Sequence, residues 1–202
     1  MRGRITRQCF AIIAPLLVCI IAMPARAATI TVTNTNDNGA GSLRHALTIA
    51  NDGDTINFAV TGTITLTSGG LPINKNITIS GPGPDQLSID GNHAIVVFGV
   101  LAGSAATISG LTVRNAQWFG GFERGNSTVM NCVLSGNSYH GLANDGVATV
   151  SSCVLSGNSY WCLYSYEAEI TVSNSVVSGN AGGGFSIPSI LVLTIPLPAA
   201  VL

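Results

Sequence analysis

The sequence predicts an all-β fold: a right-handed parallel β-helix, wound as a single-stranded solenoid, with one short capping helix near its N-terminus. Three observations carry this expectation. A motif returns at near-constant spacing, because Thr107-Ile108-Ser109-Gly110-Leu111-Thr112-Val113 is echoed by segments starting at Thr128, Thr149 and Thr171. The last three copies run on into Ser-Gly-Asn at 135–137, 156–158 and 178–180. Within each copy, apolar and polar residues alternate over runs too short for helices, bounded by Gly and Asn. Finally, only 8% of residues are charged, while Gly, Ser, Thr, Asn and Val abound, a composition suited to stacked strands and tight turns.

Residues 1–27 read as a secretory signal peptide. Arg2, Arg4 and Arg7 precede an apolar run from Cys9 to Ala22, Pro24 breaks it, and Ala25-Arg26-Ala27 puts small residues where a signal peptidase reads, with cleavage after Ala27. A membrane anchor would need roughly 20 apolar residues, more than this run, interrupted by Pro15, supplies. Cys19 belongs to the apolar core of the segment, since Val18 is bulkier than the small residue that precedes an acylated cysteine. The expected destination is secretion or the cell surface, including an outer membrane.

Residues 28–53 are expected to hold an N-terminal strand and the capping helix. Ser42 is a good N-cap, and Leu43, Ala46, Leu47 and Ala50 line one face of the helix that follows. A solenoid needs its terminal coil covered, and this amphipathic helix is placed to do it. Asn34-Thr35-Asn36-Asp37-Asn38-Gly39 superficially resembles a calcium loop, but Asn34 stands at the first position and His45 at the twelfth, so it reads as a turn.

Residues 54–185 are the coils. A single coil cannot bury its apolar face, but parallel stacking at about 4.8 Å brings like positions into register. Ile108, Val129, Val150 and Val172 then form one inward row. Leu111, Cys132, Cys153 and Ser175 form a second, and Val113, Leu134, Leu155 and Val177 a third. Phe122, Leu142, Leu163 and Phe185 recur later in each unit. The link from there to the next Thr lengthens (123–127, 143–148, 164–170), so variation is confined to one corner. Upstream, Ile56 and Phe58 stand one repeat period ahead of Ile77 and Ile79, and two or three less regular coils are expected over 54–106. A leucine-rich repeat of similar period lacks its helix-side leucines here.

At these residues the chain resembles bacterial right-handed β-helix repeat proteins named for a Cys-Ser-Leu-Arg-Glu-Ala motif. The resemblance rests on Thr31-Val32-Thr33-Asn34-Thr35-Asn36-Asp37, Gly41-Ser42-Leu43-Arg44-His45-Ala46, Asn51-Asp52-Gly53-Asp54-Thr55-Ile56, Ile77-Thr78-Ile79-Ser80-Gly81-Pro82-Gly83 and the Ser-Gly-Asn coils, and covers about residues 29–185. It departs at Gly41, in place of Cys, and at His45, in place of Glu, which removes the carboxylate of a capping box with Ser42. The resemblance implies a pectin-lyase-like fold on an exported or surface-attached protein, and implies no catalytic residue.

The residues nominate no catalytic, cofactor or metal site. Without residues 1–27, four basic residues (Arg44, Lys75, Arg114, Arg124) face nine acidic ones, a net charge of −5 with no basic stripe for nucleic acid. A glycosidase needs two positioned carboxylates, and a calcium-dependent lyase an acidic cluster with a base. The acids of the regular coils, Glu123, Asp145, Glu167 and Glu169, fall in the variable corner, and no carboxylate is expected in the row of Arg114. His45, His93 and His140 lack metal-ligand spacing. Cys132 and Cys153, one coil apart, suit either an internal stack or a disulfide, and Cys162 has no evident partner.

One feature suggests binding. Trp118, Tyr139 and Tyr160 recur at the repeat spacing, with Phe119, His140 and Trp161 beside them. An outward column would offer rings to an extended polysaccharide; the more ordinary expectation is that both columns fill the turn after the third inward row. The expected function is thus a structural or adhesive surface scaffold whose partner is a polysaccharide or another surface protein, with a carbohydrate-binding module or a polysaccharide lyase or hydrolase as alternatives. Residues 186–202 form an apolar tail with Pro196 and Pro198 and none of the coil signatures. It reads as a shortened C-terminus that leaves the last coil poorly covered and open to self-association.

Overall fold

The computed structural model describes residues 26–93, 96–166, 168–186 and 191–193, so most of the signal segment and most of the tail lie outside it. Its strands make three parallel sheets. The first holds eight strands, 29–32, 55–58, 77–80, 105–109, 126–130, 148–151, 170–173 and 191–193. The second holds 62–65, 87–90, 112–114, 133–135, 154–156 and 176–178, and the third 71–73, 98–100, 119–123, 140–144, 161–165 and 183–186. The chain visits first, second and third sheets in turn, so the described residues make six full turns of a parallel β-helix.

Each of the last four turns bends where a residue takes the left-handed conformation. Between the first and second sheets this residue is Gly110, Asn131, Ser152 or Asn174, with φ of 67°, 50°, 53° and 48°. Between the second and third it is Asn115, Gly136, Gly157 or Gly179, at 52° to 63°. Gly and Asn tolerate that region best, which is why the repeat carries them there. Just inside the second bend, Asn137 and Asn158 are fully buried. Their side chains form a ladder: Asn137 Nδ2 donates to Asn158 Oδ1 (2.9 Å), and Asn158 Nδ2 to Asn180 Oδ1 (2.8 Å). The Oδ1 atoms of the three asparagines also accept the backbone N–H of Ala116, Asn137 and Asn158 from the coil below, satisfying donors the bend would orphan.

The core runs through the middle of the coils. The three predicted rows point inward, with Val150 and Leu155 fully buried and Val177 packed at the edge. In the second row the thiols of Cys132 and Cys153 and the hydroxyl of Ser175 do the same job, each donating to the carbonyl two residues back, Met130, Ser151 and Ser173. Cys132 and Cys153 are therefore buried, hydrogen-bonded rungs of the stack, and both are free thiols, as is Cys162.

Register corrects the sequence reading in three places. Leu142 pairs with Gly121, not Phe122, which faces Ala143; the late row is thus Leu71, Phe98, Gly121, Leu142, Leu163 and Phe185. A glycine between two large side chains broke the apolar signature there. Upstream, Ile56 pairs with Ile79 rather than Ile77, because 59–61 and 66–70 loop out between strands and lengthen the coil. The tail is not wholly foreign to the coils, since Leu191–Leu193 pairs with 170–172 and extends the first sheet.

At the N-terminal end, helix α1 spans Leu43–Ile49, with Ser42 Oγ accepting the His45 N–H (3.2 Å) and Leu43, Ala46 and Leu47 buried on the core. Gly41 sits at φ +80°, a conformation that side chains rarely adopt, and a Cβ there would press on Thr33 Oγ1 and Asn34 Nδ2. Arg44 staples the cap to the first coil: it pairs with Asp37 (2.7 Å) and donates to the carbonyls of Gly69 and Gly70. Asp37 in turn accepts from Thr67 and Ser68. Burial pushes its carboxyl up, but these bonds outweigh that and hold it well below the usual range.

Two substitutions test this architecture. Val150→Asp places an unpaired carboxylate in the core and should cost about 4 kcal/mol or more, read as a fall in the urea midpoint. Asn158→Ala removes the middle rung of the ladder and should cost about 3 kcal/mol while leaving strand content by circular dichroism unchanged below the transition.

Candidate functional site

The bend after the second sheet puts the residue two places beyond each ladder asparagine on the outside of the corner. Tyr139 and Tyr160 occupy that place in successive coils, and Trp118 precedes them one coil below. They are 52% (Trp118), 37% (Tyr139) and 42% (Tyr160) exposed, so this column faces solvent rather than filling the turn. The neighbouring column is more buried, with His140 at 2%. Alternation along a strand does not predict this split, because the residues lie at a corner where the backbone turns.

The geometry alters the expected ladder. Tyr139 and Tyr160 stack on one another, 4.8 Å between centroids and 4° between planes, so their facing surfaces are occupied. Trp118 is turned 70° from Tyr139 at 6.0 Å and keeps ring surface toward solvent. The two phenol hydroxyls make no hydrogen bond to another described residue. The corner therefore offers one indole for stacking and, above it, two outward phenol edges.

His140 braces the column from beneath. Its ring stacks between Phe119 (5.4 Å, 9°) and Tyr164 (5.0 Å, 8°) and meets Tyr139 edge-on at 4.2 Å. Its Nδ1 is buried without a hydrogen-bond partner among the described residues. Burial pushes the imidazole down to about 4, against a weaker upward pull from the Trp161 backbone.

Elsewhere, two sequence expectations fail. Arg114 does have a carboxylate in its row: Asp90 is its register partner in the coil below, with Asp90 Oδ2 3.2 Å from Arg114 Nε. Asp90 also accepts from Asn115 Nδ2 (2.9 Å) and the Asn92 N–H (2.8 Å). Sequence reasoning missed the pair because the period is irregular between residues 81 and 97. No group of three or more His, Cys, Asp or Glu converges among the described residues. Glu123 closes a strand of the third sheet rather than lying in the variable corner, and Glu167 lies outside the described residues.

Neither a protein-family model nor a curated protein matches the chain. The solved structures that resemble it include the following two. Pectate lyase Pel9A is 16% identical with a TM-score of 0.53, over 76% of this chain and 57% of that one. ORF18 of Geobacillus virus E2 is 15% identical with a TM-score of 0.54, over 72% and 42%. The chain spans about half the length of these structures, and the likeness establishes the parallel β-helix fold alone.

The buried histidine predicts a pH dependence. Between its usual value of 6.5 and about 4, the unfolded chain takes up a proton at His140 that the folded chain does not. Stability should therefore fall as pH drops through that window, and His140→Phe, which keeps the stack, should flatten the fall in urea midpoint measured from pH 7 to pH 4.

Proposed function

We propose that this chain is an exported surface scaffold of the Cys-Ser-Leu-Arg-Glu-Ala type that adheres to polysaccharide through the corner formed by Trp118, Tyr139 and Tyr160. The single observation that carries the reading is the exposure of this column on consecutive coils, with Trp118 ring surface toward solvent and two phenol hydroxyls that make no hydrogen bond to another described residue. An indole packs on the C–H face of a sugar, and phenol hydroxyls bond its oxygens. A rigid column braced by stacked His140 loses little entropy on binding. The coil spacing sets the sites at steps suited to an extended chain running along the helix axis.

The reading is non-catalytic. Arg114 is engaged by Asp90, its register partner in the coil below, rather than standing alone beside an open surface. The experiment is a glycan array with the exported chain, followed by titration of the best ligand. Trp118→Ala should weaken binding by about tenfold or more, Tyr139→Phe with Tyr160→Phe should weaken it less, and the triple alanine variant should abolish it with strand content intact. Equal binding by the triple variant removes this corner from consideration, and turnover of an acidic polysaccharide by the wild type would replace adhesion with catalysis.

A further inference from the structure

The first sheet carries, on its outer face, an unbroken rank of threonine. Thr29, Thr55, Thr78, Thr107, Thr128, Thr149 and Thr171 are register partners from strand to strand, one per coil. At the strand spacing of about 4.8 Å the rank is about 30 Å long. Two residues further along each strand, about 6.6 Å away, runs a second rank, polar except for Met130, that includes Thr31, Asn57, Ser80, Ser151 and Ser173. The threonine hydroxyls make no hydrogen bond to another described residue. Four of them, with Asn76 and Asn126, line a shallow open depression.

We propose that this face binds ice. A β-branched side chain holds one preferred rotamer on a pleated surface, so the rank presents alternating hydroxyl and methyl groups in a fixed array with little left to order on binding. The array repeats along the helix axis, one threonine per coil with a mixed polar rank beside it, so a partner that is itself periodic along one direction meets every threonine at once. Neither rank holds a charged side chain, although the chain outside residues 1–27 carries nine acids, which argues against an ionic surface as partner. Crystalline polysaccharide is the other uncharged, hydroxyl-bearing lattice, but it is gripped by aromatic rings, and the two ranks contain none. The rings of this chain lie at a different corner. A water lattice needs what the rank supplies: donors and acceptors able to take lattice positions, with methyls seated between them.

This proposal does not rest on the glycan reading, and the same protein tests them separately. The exported chain is mixed with water, ice is grown slowly through it, and protein in ice and in liquid is measured; recrystallisation is followed in frozen sucrose. The wild type should be enriched severalfold in ice over a control protein and slow recrystallisation. Thr107→Lys with Thr128→Lys, both outward, should remove both effects while leaving strand content and thermal midpoint in place. The triple alanine variant of the aromatic corner should retain them. Should the lysine pair fail to fold, Thr128→Tyr alone, which adds bulk only outside, gives the same reading. The proposal is overturned if the wild type stays in the liquid, if the outward variants partition like the wild type, or if the threonines instead govern retention on crystalline cellulose.

Discussion

Everything in this molecule depends on parallel, in-register pairing of each coil with the next. The hydrogen bonds run between coils, so no single turn can satisfy its backbone or bury its apolar face by itself. Pairing like with like makes every property of the repeat a row: an apolar residue becomes a stripe of core, a left-handed residue a seam of bends, an exposed ring a column. The constant spacing of the coils that open with strands 105–109, 126–130 and 148–151 matters for this reason and no other.

Such pairing needs its corners fixed, and the chain fixes them with small polar residues. Asn137, Asn158 and Asn180 bond both to each other and to the backbone of the coil below, so the ladder ties successive coils as the strands do. The Cys132, Cys153 and Ser175 rungs satisfy carbonyls at the first bend. At the N-terminal end the problem differs, because among the described residues only the strand 29–32, not a full coil, pairs below the first coil. There α1 covers the apolar face, and the Asp37–Arg44 pair directs its hydrogen bonds to the loop at 67–70, locking cap to coil.

One repeat presents two unlike surfaces. The corner before the third sheet is aromatic, uneven and braced from beneath by a buried imidazole. The outer face of the first sheet is regular and aliphatic-hydroxylic. Their chemistry suits different partners because rings offer faces and edges to discrete sugars, whereas a hydroxyl and methyl array offers only periodicity.

The sequence by itself determined the parallel β-helix, the three inward rows over residues 108–177, the helix capped by Ser42 and the spacing of Trp118, Tyr139 and Tyr160. All of these follow from local alternation and a constant period, which survive without knowledge of neighbours. What only the tertiary structure decided lies where the period breaks or the backbone turns. Gly121 rather than Phe122 faces Leu142 because a register is a property of two strands together. Asp90 meets Arg114 across coils whose loops differ in length. The outward turn of the aromatic column, and the mutual stacking that spares only Trp118, follow from backbone direction at a corner, which no alternation rule reads. The threonines were visible as strand residues from the start. That they form one straight rank became evident only when pairing across upstream coils of unequal length placed Thr29, Thr55 and Thr78 in line with the rest, since loops of different size can separate strands that still meet in register.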